Sequence, residues 1–204
     1  MCGIVGMTGA LTLSQDMYNA LTIIQHRGQD AAGMMTSDEG RVHLSKANGL
    51  VRDALPVKAL MKLSGSFGIA HVRYPTAGTR SPQESQPFYV NSPYGLGLVH
   101  NGNLTNTSQL TEALMQADLR HLNTASDSEV LLNVVAHELQ RVVTHDMTPE
   151  ALFTALRAVY SRIEGAYAVI LLIHGYGVVG FRDPNGIRPV GAGVCGTKPG
   201  APDV

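Results

Sequence analysis

The second residue of the sequence is a cysteine whose chemistry depends on the methionine before it. A small residue after Met1 favours removal of that methionine, which would leave the α-amino group of Cys2 free. An α-amino group titrates at about pH 7.7–8.0, so it could act as general base for the neighbouring thiol, which is a strong nucleophile as thiolate. This arrangement is typical of N-terminal nucleophiles. Taken alone, however, an early cysteine is more often a small buried residue of a strand.

Four further residues carry groups that would suit a small zwitterionic substrate. The Asn101 side-chain amide and the Gly102 backbone N–H could form a two-donor oxyanion hole. Arg73 could bind a carboxylate through paired hydrogen bonds, and Asp127 could bind an ammonium group. Each has an ordinary alternative, namely an Asn-Gly hairpin turn, a solvated surface arginine, and an N-cap or first-turn acid of a helix. Together with Cys2 they fit a free amino acid that has an amide side chain, and glutamine is the obvious candidate.

These residues fall near the ends of predicted strands and helices. The predicted strands cover residues 2–6, 31–37, 41–46, 66–73, 88–90, 96–100, 166–173 and 177–181. The predicted helices cover residues 14–25, 56–63, 105–117, 126–143 and 148–163, with Ser14, Ser126 and Thr148 as start signals. A long loop is predicted at 74–87 and a sharp turn at Asn101-Gly102-Asn103. Strands first and last with paired helices between them indicate an α+β layered domain.

Composition and charge exclude several functional classes. The 204 residues suffice for one domain, and the net charge of -1 without a basic cluster argues against nucleic-acid binding. The longest apolar stretch, residues 166–173, is too short to span a bilayer, and no signal-peptide pattern is present at the start. Two cysteines, Cys2 and Cys195, form no CxxC pair, so a reducing, cytoplasmic location is expected.

Five segments of the sequence resemble, in order and spacing, the class II glutamine amidotransferases. The likeness is greatest to the N-terminal domain of the amidophosphoribosyltransferase family and extends over residues 2–189. The segments are MCGIVG at 1–6, LTIIQHRGQDAAG at 21–33, AHVRYPTAG at 70–78, VHNGNL at 99–104 and FRDPNGIRP at 181–189.

The resemblance implies an Ntn-hydrolase fold, a four-layer αββα sandwich with two sheets between helical layers. It also implies hydrolysis of glutamine through a γ-glutamyl thioester on Cys2, with Asn101 and Gly102 as the oxyanion hole. The resemblance implies that Arg73 and Thr76 bind the substrate carboxylate and that Asp127 binds the α-amino group. It also implies that Arg27 and Gly28 line the site beside Cys2, and that Tyr74 links closure of the 73–84 loop to the acceptor site.

The resemblance also implies a second domain that this sequence does not contain. Residues 1–190 would form the amidotransferase domain, and 191–204 a tail or truncated connection to an absent phosphoribosyltransferase domain. That domain would use Mg²⁺ and aminate phosphoribosyl pyrophosphate with ammonia, whereas residues 1–190 alone could perform only the glutaminase half. The complete enzyme would be a homo-oligomer. No cofactor is expected in residues 1–190. Two cysteines cannot bind an iron–sulfur cluster, and His137 and His145 are interpreted as ordinary histidines.

Two alternatives remain open at this point. The first is the glutaminase domain of another class II amidotransferase, such as glucosamine-phosphate synthase, asparagine synthetase or glutamate synthase, although segments 26–30 and 182–189 favour the purine enzyme. The second is a catalytically silent domain of the same fold that binds a metabolite or a partner. In that case Met1 would be retained or the N-terminus blocked, and Cys2 would have no free amine.

Overall fold

Two four-stranded antiparallel sheets form the centre of the structure. The computed structural model describes residues 1–9, 13–38, 40–74, 82–143 and 146–194. In the first sheet the strand order is β1-β4-β2-β3, and in the second it is β5-β6-β7-β8. The sheets pack face to face and helices cover their outer faces, which confirms the predicted α+β sandwich.

The first sheet carries the start of the chain. Its strands are β1 (Gly3–Thr8), β2 (Ala31–Ser37), β3 (Val42–Asn48) and β4 (Phe67–Arg73). Its outer face is covered by helices α1 (Leu13–Ile23), α2 (Val51–Ala54) and α3 (Val57–Leu60). Met17 and Leu21 of α1 are fully buried there, and burial of such a side chain contributes about 1.5–3 kcal/mol each.

The second sheet holds the larger core. Its strands are β5 (Phe88–Val90), β6 (Leu96–Leu104), β7 (Gly165–Ile173) and β8 (Gly177–Arg182). The helices on its outer face are α4 (Thr107–Gln116), α5 (Asp127–Val142) and α6 (Pro149–Arg162). Leucines and valines of α5 belong to this core, where α5 packs on β5 and β6, and this helix is the most deeply buried of the six.

A small apolar cluster fills the space between the two sheets. Met35, Ile69, Val99 and Leu172 form it, and Ile4 of β1 packs against it. Side chains alternate along a strand, so a residue two or four positions from a member of this cluster points into the same space. Arg73 lies four residues after Ile69, Asn101 lies two residues after Val99, and Cys2 lies two residues before Ile4. The sandwich therefore brings three of the predicted site residues to one end of the inter-sheet space.

One predicted element is wrong. The Asn101-Gly102-Asn103 segment is not a turn, because β6 continues through it to Leu104. There Asn101 pairs with Ala168 of β7, and Gly102 pairs with Tyr167. The Asn-Gly pair is a strong local turn signal, but nine consecutive residues of pairing with β7 override it.

The predicted helix starts are partly confirmed. Thr148 caps α6, accepting a hydrogen bond from Ala151 N, and Ser126 caps α5. The sequence Ser126-Asp127-Ser128-Glu129 also predicts a capping box, but this is wrong, because Glu129 accepts hydrogen bonds from the Asn123 and Thr124 backbone instead. Helix α1 begins at Leu13, so Ser14 lies inside it. Among the helices of the described ranges, none has the length and apolarity needed to cross a bilayer.

Candidate active site

Charged groups of both signs act on the Cys2 thiol. Its sulfur is 4.0 Å from the Tyr74 carbonyl oxygen, and the Arg27 Nε–H donates to the Cys2 carbonyl at 3.0 Å. Burial raises the pKa of the thiol. The Tyr74 contact, the α-ammonium group of the chain and the Arg73 guanidinium oppose that rise, whereas the Asp127 carboxylate adds to it. Both predicted substrate-binding charges therefore act on the Cys2 sulfur.

A close backbone approach places Arg27 beside Cys2. Residues Gln25–Arg27 form a 3₁₀ turn, and Gly28 N donates to Gln25 O at 3.0 Å. A Cβ at Gly28 would lie 2.5 Å from the carbonyl carbon of Arg73, so only glycine lets this segment pass over the end of β4. The segment thus brings Arg27 against the Cys2 carbonyl, and the roles of Arg27 and Gly28 in substrate binding stay predictions.

Arg73 is the last residue of β4, and its side chain is buried rather than solvated. Its Nη2 donates to Glu84 Oε2 at 2.6 Å, and Nη1 lies 3.5 Å from Asp30 Oδ2. The side chain is 11% exposed, which makes the alternative of a solvated surface arginine wrong. Sequence reasoning gave no role to Glu84 or Asp30. Both are thus additions that the structure makes to the candidate site.

The direction of the Gly102 N–H follows from its neighbours on β6. His100 N donates to the Gln86 side chain at 2.6 Å, and Leu104 N donates to Asp127 Oδ2 at 3.1 Å, so both point away from β7. Because N–H groups alternate in direction along a strand, the Gly102 N–H also points away from β7, between the Gln86 contact and the Asp127 contact. Asn101 lies on the inner face of the strand, which packs against β1 and β4.

Glycine is required at position 102. A Cβ there would overlap the Ala166 carbonyl oxygen and lie 2.7 Å from Tyr167 Cα, both on β7. It would also lie 2.8 Å from His100 Nε2. A larger residue would push β6 off β7 and shift the Asn101 amide with it.

Asp127 is the first residue of α5, but its carboxylate does not cap the helix. Ser126 has that role, and Asp127 Oδ2 accepts the Leu104 N–H of β6. The other oxygen lies 3.3 Å from Ser128 Oγ and 3.7 Å from His100 Nδ1. The N-cap part of the alternative is therefore wrong, whereas Asp127 is indeed an acid of the first turn. Its carboxylate contacts the strand that carries Asn101 and Gly102.

A buried polar network that the sequence did not reveal fixes this part of β6. Gln86 Nε2 donates to Ser128 Oγ at 3.0 Å and to His100 O at 3.3 Å, while its Oε1 accepts from His100 N. His100 Nδ1 lies 3.0 Å from Ser128 Oγ. The Gln86 side-chain amide thus makes the two hydrogen bonds to the His100 backbone that a neighbouring strand would make. The HNG sequence pointed to His100, but nothing local pointed to Gln86.

The two histidines of this region are uncharged near neutral pH. Burial lowers the pKa of His71 to about 3, and the nearby His100 adds to this effect. Burial also lowers the pKa of His100, although Asp127 opposes the shift. Neither imidazole therefore adds positive charge to the site.

Replacing Gln86 by leucine is expected to destabilise the protein. The change would leave the buried N–H and C=O groups of His100 without partners, which costs about 1–3 kcal/mol for each unsatisfied group. Urea unfolding followed by circular dichroism would measure the loss. Gln116→Leu, on the exposed face of α4, is the control and should change stability by less than about 0.5 kcal/mol. Equal stability of the two variants would contradict the assigned role of Gln86.

The segment at 181–189 forms a turn that reaches the start of the chain. Asp183 is 2% exposed, and its carboxylate accepts hydrogen bonds from Ile187 N at 3.0 Å and Arg188 N at 3.1 Å. Gly186 has a φ of 64°, a conformation that favours glycine. The turn places Arg188 Nη1 3.0 Å from Met1 Sδ, at the start of the chain.

The remaining predicted residues are only partly located. Tyr74 contributes its carbonyl near Cys2, while its side chain is 54% exposed. Thr76 lies outside the described residues, as do most of the predicted 73–84 loop, His145 and Cys195. His137 lies 3.4 Å from Asp118, and the described ranges contain no group of three or more His, Cys, Asp and Glu residues placed to hold a metal ion.

Comparison with known proteins relates this geometry to a family. A family model described as a glutamine amidotransferase domain matches residues 71–196. Amidophosphoribosyltransferase from Pseudomonas aeruginosa is 55% identical over 200 residues, which are 98% of this chain and 40% of that protein. The Escherichia coli amidophosphoribosyltransferase is 52% identical over 191 residues, 93% of this chain and 38% of that protein. The chain thus spans about 40% of the length of these relatives.

Solved structures give the same result. A structure described as the allosteric regulatory enzyme of purine biosynthesis matches with a TM-score of 0.78 at 32% identity, covering 93% of this chain and 38% of that one. Glutamine phosphoribosylpyrophosphate amidotransferase from B. subtilis, complexed with ADP and GMP, matches with a TM-score of 0.76 at 31% identity and the same coverage. Because the family model covers more than half of the sequence, this chain belongs to the glutamine amidotransferase domain family.

Proposed function

We propose that this chain hydrolyses glutamine to glutamate and ammonia, as the glutaminase part of an amidophosphoribosyltransferase in purine synthesis. The observation that carries the proposal is the position of the Cys2 thiol, on which the charges of Arg73 and Asp127 both act. A cation and an anion that both act on a nucleophile suit a zwitterionic amino acid as substrate. Family membership and the 50–55% identity to several amidophosphoribosyltransferases support the same function.

In the proposed reaction, removal of Met1 frees the amine that activates the thiol. The neutral α-amino group of Cys2 takes the thiol proton, and the sulfur attacks the side-chain amide carbon of glutamine. The Asn101 amide and the Gly102 N–H stabilise the negative oxygen of the tetrahedral intermediate. The α-ammonium group returns the proton to the leaving nitrogen, which departs as ammonia. Water then cleaves the γ-glutamyl thioester, releasing glutamate and restoring the thiol.

The remaining residues of the proposal bind the substrate. Arg73 and Thr76 would hold the α-carboxylate, and Asp127 the α-ammonium group. Arg27 and Gly28 would shape the wall beside Cys2, consistent with the hydrogen bond from Arg27 to the Cys2 carbonyl. Tyr74 would link substrate binding to the acceptor site of the complete enzyme.

The wider proposal concerns the protein to which these residues belong. By analogy with the longer relatives, the ammonia would aminate phosphoribosyl pyrophosphate in a phosphoribosyltransferase domain that uses Mg²⁺. A homo-oligomeric, cytoplasmic enzyme is part of this proposal, as is the absence of a cofactor from residues 1–190. The high identity to amidophosphoribosyltransferases favours this function over that of another class II amidotransferase.

Ammonia release from glutamine is the direct test of the proposed function. Intact mass is measured first, to establish that Met1 has been removed. The processed protein is expected to release ammonia and glutamate in equal amounts. Protein that retains Met1 should fold but release almost none, because Cys2 then has no free amine. Absence of ammonia release from correctly processed protein would favour the catalytically silent alternative.

A further inference from the structure

Two carboxylates of the chain already flank the Arg73 guanidinium. Glu84 Oε2 lies 2.6 Å from Nη2, and Asp30 Oδ2 lies 3.5 Å from Nη1. The side chains of Arg73, Asp30 and Glu84 are only 11%, 11% and 16% exposed, so solvent screens their charges weakly. Among the described residues, the Arg73 guanidinium thus forms ion pairs with two carboxylates before any substrate binds.

A bound glutamine would bring a third carboxylate to the Arg73 guanidinium. Three carboxylates around one largely buried guanidinium repel one another strongly, because the effective dielectric constant there is lower than in water. Guanidinium also binds carboxylates best through two parallel N–H donors on one edge. The guanidinium has two such edges, one with Nη1 and Nη2 and one with Nε and Nη2. Nη2 belongs to both edges, and it already donates to Glu84. The substrate carboxylate therefore competes with Glu84 for its best position.

The backbone contacts indicate which of the two internal carboxylates gives way. Asp30 is fixed beside the strand that carries Arg73, since Asp30 N donates to Arg73 O at 3.1 Å and Gly49 N donates to Asp30 O at 2.8 Å. Glu84 instead comes from the short 3₁₀ turn Pro82–Glu84. Its short contact also shows that Glu84, rather than Asp30, occupies an Arg73 donor directly.

We propose that Glu84 is an internal competing ligand of Arg73, which the α-carboxylate of glutamine displaces when it binds. This inference rests on the proposed function. Glu84 then lowers the affinity for substrate and favours ligands whose carboxylate can take its place. The displacement stays local, because Gln86, two residues later, is held by His100 and Ser128.

The inference predicts a gain of affinity when the internal carboxylate is neutralised. Binding of L-glutamine is measured by calorimetry to Cys2→Ala and to Cys2→Ala combined with Glu84→Gln, since neither turns over the ligand. The second variant is expected to bind glutamine about three- to tenfold more tightly, the range for loss of one partly buried competing ion pair. Binding of L-glutamine α-amide, which lacks the carboxylate, should not tighten.

Two further variants control the experiment. Glu112→Gln on the exposed face of α4 makes the same chemical change and should leave affinity unchanged. Glu84→Asp keeps the charge but withdraws the carboxylate by one methylene, so it should also tighten binding. Equal or weaker glutamine binding by the Glu84 variants would show that Glu84 supports Arg73, and would overturn the inference alone. Absence of binding by every variant would overturn the proposed function as well.

Discussion

Replacing Cys2 by alanine is expected to abolish glutamine hydrolysis and leave the fold intact. The change removes the sulfur atom that forms the γ-glutamyl thioester in the proposed reaction. Loss of a member of a nucleophile–base unit lowers turnover by about 10⁴–10⁶-fold in proteases that act through the same kind of intermediate. Cys2 precedes β1 and is only partly buried, so little packing is lost. Ammonia release and the circular dichroism spectrum would be measured together.

The second cysteine provides the matched control. Cys195 lies outside the described residues, and no role in the reaction is proposed for it. Cys195→Ala should therefore retain near-normal ammonia release. Near-normal turnover in Cys2→Ala would contradict the mechanism, whereas loss of the folded spectrum in that variant would mean that Cys2 has a structural role.

The sequence was sufficient for most of the fold because the strands and helices carry local signals. Alternation and turn residues located the β2–β3 and β7–β8 hairpins, and Thr148 located the start of α6. Local signals failed where pairing between distant segments decides the structure. Asn101-Gly102 has the composition of a turn, yet it continues a strand because β7 lies beside it.

The candidate site was predictable only in part, for a similar reason. Cys2, Arg73 and Asp127 combine distinctive chemistry with a family resemblance, and the structure places both charged residues where they act on the thiol. Glu84 and Gln86 lie in a segment without periodicity. Their partners are 11 to 42 residues away, so only the folded chain shows the contacts.

Replacing Asn101 by alanine is expected to lower turnover by about 10²–10³-fold, the usual effect of removing one oxyanion-hole donor. The amide lies on the inner face of β6 and makes no hydrogen bond to another side chain or backbone group in the described ranges. Its loss should therefore cost little stability, because no internal partner is left unsatisfied. The steady-state kinetics of ammonia release would measure kcat and KM separately.

The division of the effect between these two constants decides the role of Asn101. A donor that acts only on the tetrahedral intermediate lowers kcat and kcat/KM together, whereas a substrate-binding residue raises KM alone. Asn103→Ala, two residues further along the same face of β6 but exposed, is the matched control and should change neither constant appreciably. A pure rise in KM for Asn101→Ala would make Asn101 a binding residue, and Gly102 N–H would then be the one β6 donor left to the oxyanion.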